Sequence, residues 1–554
     1  MRREYTWVFF LVLVASCGGG GGSSVPAVQP PPGTLAVNAG VDLTIAFNAA
    51  ATLAATVSDQ SASVAWSKVA GPGAVSFENS AIANTRAAFS EAGGYTLRIQ
   101  ANNGTGVASD DINVTVDPPV GPVLRVDPGT TYQTMNGWEA TAFAGQDSPD
   151  FLAYKDTVFD AIIDDLGINR VRLQVRSGAE NTEDFWTQQK DGTIAYPAWR
   201  SLRYSTVNDN NDPNVINDAG FQWSELDDVV ERVVLPLKNR VEANGEVLWI
   251  NLCYVAFTSQ IGSGLQYLHD NPDEYAEFVE ATYLHLVSTY GWAPDSWEVI
   301  LEPDNVSQWN GTTVGNAIVA AAARLQKYGY TPRFVAPSNT DMGGAITYFD
   351  QLLAVPGAIN HVMEFSYHRY SGVSDANLRA INTRAQAAGI QTAQLEWIGA
   401  TYNELHKDLS IAQNSSWAQY TIGGPGTAAN DNGGAYYLAD VTNPASPVLI
   451  TGSRTKFLRQ YFKYVRRGAV RIGVGSSANF DPLAFQNTDG RMVVVVKASS
   501  GGSFTVSGLA AGTYGIKYTT NNAYDVDLPD VNIIGGQALM TAIPTAGVIT
   551  VHAR

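Results

Sequence analysis

The sequence predicts a multidomain chain: a (β/α)8 TIM barrel with a C-terminal β-sandwich and an N-terminal immunoglobulin-like β-sandwich. Three observations predict it. Between residues 124 and 450, strand-like and helix-like runs alternate, which argues for a parallel sheet, and they count to eight units. Before that stretch, residues 35–117 read as short strands separated by turn residues. After a helix near 453–466 the chain returns to strand and turn as far as Arg554. Length agrees, because 554 residues at roughly 150 per domain gives three to four domains.

The N-terminus reads as a targeting segment. Met1-Arg2-Arg3 is basic, and residues 7–14 are apolar but too short for the roughly 20 residues a bilayer span needs. Val14-Ala15-Ser16-Cys17 and a glycine run follow. This resembles a bacterial lipoprotein signal, which implies cleavage before Cys17 and lipid on its thiol; an ordinary secretory signal is the alternative. Residues 1–17 are therefore signal and lipobox, and 18–34 a flexible, then stiffer, Gly/Pro linker. The resemblance implies a bacterial cell-envelope location, lipid-anchored, facing the periplasm or the exterior. The membrane partner would be reached through that anchor alone.

Residues 35–118 carry strand candidates at 53–57, 64–68, 75–77, 94–100 and 112–116. Trp66, Gly71-Pro72-Gly73, Phe89, Gly94-Tyr95 and Asp110 together resemble a PKD-like immunoglobulin-fold module. It has no visible catalytic group, so a spacer role is expected, with sugar or partner binding the alternative. Asp117-Pro118-Pro119 closes it as a linker.

The barrel is expected over 124–467. Its strands are placed near 135–138, 169–174, 246–252, 297–302, 333–337, 362–367, 392–396 and 434–438. Helices are placed at 151–166, 223–243, 273–290, 314–328, 343–354, 375–388 and 402–421. The β-sandwich is expected over 468–554, with the strand near 124–133 a candidate to join it.

Composition excludes several functions. Lys plus Arg is 34 against 52 Asp plus Glu, a net charge of −18, so no nucleic-acid partner is expected. Two cysteines, Cys17 and Cys253, rule out a disulfide framework and Cys-rich zinc sites. Cys253 reads as a packed core thiol. No Gly-x-Ser-x-Gly elbow, phosphate-cradling Gly-Lys-Ser/Thr loop or His-Glu-x-x-His helix is present. The stretch from Asn208 to Asp218 invites a calcium reading but lacks the EF-hand glycine and terminal Glu, so a solvated loop over the barrel mouth is expected. No cofactor and no metal are therefore predicted.

Barrel active sites sit at the C-terminal ends of the strands. Glu302 ends the fourth strand before Pro303, and Glu396 ends the seventh before Trp397. Strands four and seven lie across the mouth from each other. Two facing carboxyl groups of unlike pKa are what glycoside cleavage needs: one protonates the leaving oxygen and one attacks the anomeric carbon.

At this point residues 124–554 resemble a clan A glycoside hydrolase, closest to glycoside hydrolase family 30. The resemblance rests on Tyr132-Gln-Thr-Met-Asn-Gly-Trp138, Tyr275-Ala-Glu-Phe-Val279, and Pro294-Asp-Ser-Trp-Glu298 running into Leu301-Glu-Pro-Asp304. It rests also on Tyr367-His-Arg-Tyr370, Leu395-Glu-Trp397, Gly468-Ala-Val-Arg-Ile472 and Ala484-Phe-Gln-Asn-Thr-Asp-Gly490. It implies a retaining O-glycosyl hydrolase acting on β-glycosidic bonds of a polysaccharide or oligosaccharide, with Glu302 the acid/base and Glu396 the nucleophile. One departure stands out: the family usually has Asn before the acid/base, where this chain has Leu301. A non-catalytic carbohydrate-binding lipoprotein on a degenerate barrel is the alternative.

The remaining candidates are substrate-binding. Arg172 is placed to hold the nucleophile ionised, with a structural ion pair the alternative. His368 and Tyr370 follow strand six, within reach of a carboxylate or sugar hydroxyl. Trp138 and Trp397 are candidates for the sugar floor, with core packing equally open, and Glu139 is a weaker candidate for a polar sugar edge. Glu298 and Glu364 sit earlier in their strands and are expected to face helices or solvent.

Overall fold

The computed structural model describes residues 34–47 and 49–554. The signal segment, Cys17 and the linker up to residue 33 lie outside the described residues. Among the described residues no helix is long and apolar enough to cross a membrane.

Eight parallel strands form a closed barrel: β1 (Gly137–Thr141), β2 (Arg170–Arg176), β3 (Trp249–Val255), β4 (Ser296–Glu298), β5 (Phe334–Asp341), β6 (Val362–Ser371), β7 (Gln391–Glu396) and β8 (Asn414–Pro425). Closure comes from β1, which pairs with β2 at Ala140↔Val171 and with β8 at Trp138↔Trp417. Helices pack outside. Their starts follow local chemistry: Asn310 caps Gly311–Gln326, Ser374 caps Asp375–Ala388, and Asn271 with Pro272 opens Pro272–Tyr290.

The eighth strand differs from expectation. The stretch expected as helix, 402–421, is helical only at Tyr402–Lys407 and through 408–412, and then becomes β8. The strand expected at 434–438 is Ala435–Asp440, which pairs with the far end of β8 and with Val448–Thr451 outside the closed ring. The reason is side-chain chemistry. Ser416 hydrogen-bonds Glu364 inside the barrel, Gln419 bonds the Gly433 carbonyl, and Trp417 donates to Asp408 at 2.8 Å. Those polar contacts occupy positions where an apolar strand pattern would have been legible.

The barrel interior is ionic. Side chains alternate along a strand, so residues two apart share a face. Arg170 and Arg172 of β2 both point to the axis. Arg170 bonds Glu364 through both Nη atoms, at 2.8 and 2.7 Å, and bonds Glu139 through Nε. Arg172 lies 3.8 Å from Glu298 and bonds Glu396. This corrects the placement of Glu298 and Glu364: neither faces helices or solvent, and both are fully buried against arginines. Glu139 is likewise fully buried on Arg170 and presents no edge to a sugar. In a dry interior each such charge is tolerated because its partner is present.

The strand Val123–Thr134 runs antiparallel to Val470–Val474 and parallel to Gly502–Ser507, so the segment leading into the barrel is part of the C-terminal sandwich. That sandwich has its own core, including Leu124, Ile472, Val494, Phe504 and Ile549. At the N-terminal end, a four-stranded and a three-stranded sheet face each other over Trp66, Phe89, Tyr95, Leu97 and Ile112. Gly71 is required there: at φ 133° a Cβ would meet the Tyr95 ring at 2.3 Å. Ala538 of the C-terminal sandwich is buried in this same core.

Candidate active site

Glu302 is carried to the barrel mouth by an irregular continuation of β4. The Val299 amide bonds the Val335 carbonyl, Leu301 bonds Tyr254, and Glu302 bonds Ser338. Glu302 itself takes φ 51°, ψ 60°, a left-handed conformation that a residue with a Cβ adopts at a cost of about 1–2 kcal/mol. The turn after it is fixed by Asp304, whose carboxylate accepts from the Thr340 amide and hydroxyl and from the Asp341 amide. The strained backbone aims the carboxyl inward, where Oε1 lies 3.1 Å from His368 Nδ1 and Oε2 accepts from Asn305 Nδ2 at 3.0 Å.

Glu396, the last residue of β7, is 7% exposed. One carboxylate oxygen bonds Arg172, and the other accepts the Tyr370 hydroxyl at 2.9 Å. Both contacts hold the carboxylate in place at the strand end. Oxygens of Glu302 and Glu396 and a ring nitrogen of His368 all lie within 4.8 Å of one another. The two carboxyl groups, distant in sequence, therefore converge over one cavity.

Electrostatics around the pair are strong. Burial alone lowers the pKa of His368, but the hydrogen bond to Glu302 and the charges of Glu396 and Glu302 outweigh it and raise the group overall. Its Nε2 is buried without a protein partner. Burial, then the Glu396 charge and hydrogen bond, pushes the Tyr370 phenol up, so it stays a donor. Tyr370 is 41% exposed.

The sequence candidates separate into two groups. Glu302, Glu396, Arg172, His368 and Tyr370 are brought together. Trp138 is not: it is fully buried, stacks on Phe462 at 4.2 Å and donates its indole N–H to the Val465 carbonyl. It is a core residue of β1, placed early in the strand and away from the mouth, which corrects its reading as a sugar floor. Trp397 is half-buried at the end of β7, with Arg369 5.5 Å from its ring. Leu301 is buried with Tyr204, Cys253 and Val255 in a small apolar cluster beside Glu302.

Sequence reasoning missed Tyr420. Burial and the charges of Glu396 and Glu302 push its phenol up to about 12. Its signal was the two-residue period running Ser416, Ala418, Tyr420, hidden while the segment read as helix. Asn305 was missed because only the turn after Pro303 brings it back to Glu302.

Comparisons with known proteins agree with this architecture. Residues 39–116 match a PKD domain family model, and residues 468–523 match the model of the glycosyl hydrolase family 30 beta sandwich domain. No curated protein matches the chain. Among solved structures, a GH30 endoxylanase from Clostridium papyrosolvens C71 is 16% identical, with TM-score 0.55 over 78% of this chain and 99% of that one. The catalytic domain of GH30 xylanase C from Talaromyces cellulolyticus is also 16% identical, with TM-score 0.56 over 78% of this chain and 100% of that one. An endo-β1,6-glucanase is 13% identical, with TM-score 0.53 over 79% and 95%. At these identities the likeness is one of fold. The chain thus joins a PKD-like module to a TIM barrel and a C-terminal β-sandwich that is similar to the family 30 glycosyl hydrolase sandwich, in a fold like that of those xylanases.

Proposed function

We propose that this protein is a retaining glycoside hydrolase that cleaves β-glycosidic bonds of a polysaccharide or oligosaccharide. One observation carries the reading: carboxyl oxygens of Glu302 and Glu396 lie within 4.8 Å of each other. Retaining enzymes keep their pair about 5–5.5 Å apart, whereas inverting enzymes need roughly 6.5–9.5 Å to admit water between.

In this reading Glu302 gives its proton to the glycosidic oxygen as Glu396 attacks the anomeric carbon. The bond to the leaving sugar breaks, and an ester to Glu396 forms. Glu302, now ionised, takes a proton from water; the water oxygen attacks the anomeric carbon and frees Glu396. His368 and Asn305 hold Glu302, while Arg172 and Tyr370 hold Glu396. Substrate class is supported only by the neighbours' own activities, two on xylan and one on β1,6-glucan, so a polysaccharide panel with sized products decides it.

Glu396→Ala tests the assignment: turnover is abolished with the fold intact, and full activity in that variant ends it. The apolar Leu301, buried beside Glu302 and offering no polar contact to a sugar, favours a second reading of a non-catalytic carbohydrate binder. That reading requires tight oligosaccharide binding with no product after long incubation. We also propose lipid anchorage at Cys17 in the cell envelope. Labelled palmitate incorporation that survives Cys17→Ser overturns it.

A further inference from the structure

The Asn- and Asp-rich stretch from Asn208 to Asp218 folds against the helix Pro272–Tyr290. Arg324 ties the two together, bonding Glu280 of the helix at 2.7 Å and the Pro213 carbonyl of the loop. Four carboxylates act on one another at this seam: Glu180, Asp209, Glu274 and Glu277.

Three of them have partners. Glu180 bonds His269 Nε2 at 2.5 Å and accepts the Asp209 amide at 3.1 Å. Asp209 Oδ2 accepts the Asn217 amide at 2.6 Å, and Glu274 is bonded by the Asn208 side chain. Glu277 is different. It is 1% exposed, and neither carboxylate oxygen has a partner. Asp209 Oδ1 and Glu274 Oε2 are also buried and unpartnered. The cation near Glu277, Arg324, is committed to Glu280 and Pro213. Burial first, then the charges of Asp209, Glu180 and Glu274, pushes Glu277 up to about 8. A group so placed calls for positive charge.

We infer that Glu277, Glu274 and Asp209, with Asn208 beside them, form a calcium-class divalent cation site that fastens the 208–218 loop to the helix. The donors are all oxygens, which suits a hard cation and excludes thiophilic metals. His269 is held by Glu180 and by the Tyr254 hydroxyl, so it is not among the donors. These carboxylates stand wider apart than the 4.8 Å grouping of Glu302, His368 and Glu396. Like charges repel, and an ion with Ca–O distances of about 2.3–2.6 Å draws them inward. The consequence reaches the barrel mouth, because the same connection carries Tyr204, which packs on Leu301 next to Glu302.

The test uses the full chain after chelator treatment, titrated with calcium chloride by calorimetry and by thermal unfolding. One ion binds per chain with a dissociation constant of about 10⁻⁶–10⁻³ M, and saturation raises the midpoint by about 3 °C. Glu274→Gln and Glu277→Gln each weaken binding about tenfold or more. Glu277→Gln also folds, because a neutral amide suits a buried seam, and in chelator its midpoint exceeds that of the parent. Absence of heat and midpoint shift at about 10 mM calcium overturns the site. So does an affinity in either variant equal to that of the parent, or a magnesium response equal to that of calcium.

Discussion

Glu302→Gln separates the role of Glu302 from its place in the fold. The substitution keeps an oxygen that can accept from His368 Nδ1, now at 3.1 Å, and loses an acceptor for Asn305 Nδ2, at 3.0 Å. That lost bond is partly exposed, so its effect on stability is about 1 kcal/mol or less. The catalytic loss is larger. A positioned general acid contributes about 10²–10⁴-fold, which is about 3–5 kcal/mol of barrier. This loss falls on kcat/KM for a natural glycan, whose leaving alcohol must be protonated. For an aryl glycoside with an activated leaving group, departure needs no proton, so kcat/KM is nearly unchanged. There kcat falls instead, because water is no longer deprotonated, and azide, a nucleophile needing no base, restores turnover as the glycosyl azide. The assay is steady-state kinetics of both substrates with and without azide, beside a thermal melt. Equal loss of kcat/KM on both substrates, with an unchanged melt, refutes the assignment of Glu302 as the acid.

Three further outcomes follow from the same geometry. Tyr370→Phe removes the hydroxyl that donates to Glu396 at 2.9 Å; a bond to a charged group is worth about 1.5–3 kcal/mol, so kcat/KM falls about 10–100-fold while the melt stays put, and an unchanged rate removes Tyr370 from the machinery. Arg170→Met leaves Glu139 and Glu364 buried without their cation, which costs about 3–5 kcal/mol by denaturant unfolding; a loss under about 1 kcal/mol means that the ionic interior relaxes or protonates freely. In chelator, Glu277 makes stability fall as pH rises from the ordinary carboxyl value of 4.5 toward about 8, because the folded state holds a proton that the unfolded chain has released; a wild-type slope that matches Glu277→Gln over this window contradicts it.

The layered plan is legible in the order of residues along the chain. Alternating strand and helix runs, with strand-and-turn segments at both ends, announce a barrel between two sandwiches, because binary patterning reports which face of an element meets a core. That order also singles out Glu302 and Glu396 as carboxylates that end barrel strands, and the fold brings the two together. Arg172 on strand two and His368 and Tyr370 on strand six, also candidates from the sequence, lie beside them. What failed did so where period and environment part company. β8 was mistaken for helix because its inward positions are serine, alanine and tyrosine, and Ala435–Asp440 took its place in the count. Glu298, Glu364 and Glu139 read as facing helices, solvent or sugar because charge suggests water; only closure of the barrel set Arg170 and Arg172 against them. Trp138 and Tyr420 exchanged importance for a similar reason: the depth of a ring along the barrel axis is not written in its neighbours. The left-handed turn at Glu302 and the approach of its carboxyl to Glu396 within 4.8 Å come from the closed barrel, because contacts between residues so distant in the chain depend on how every intervening strand tilts and pairs.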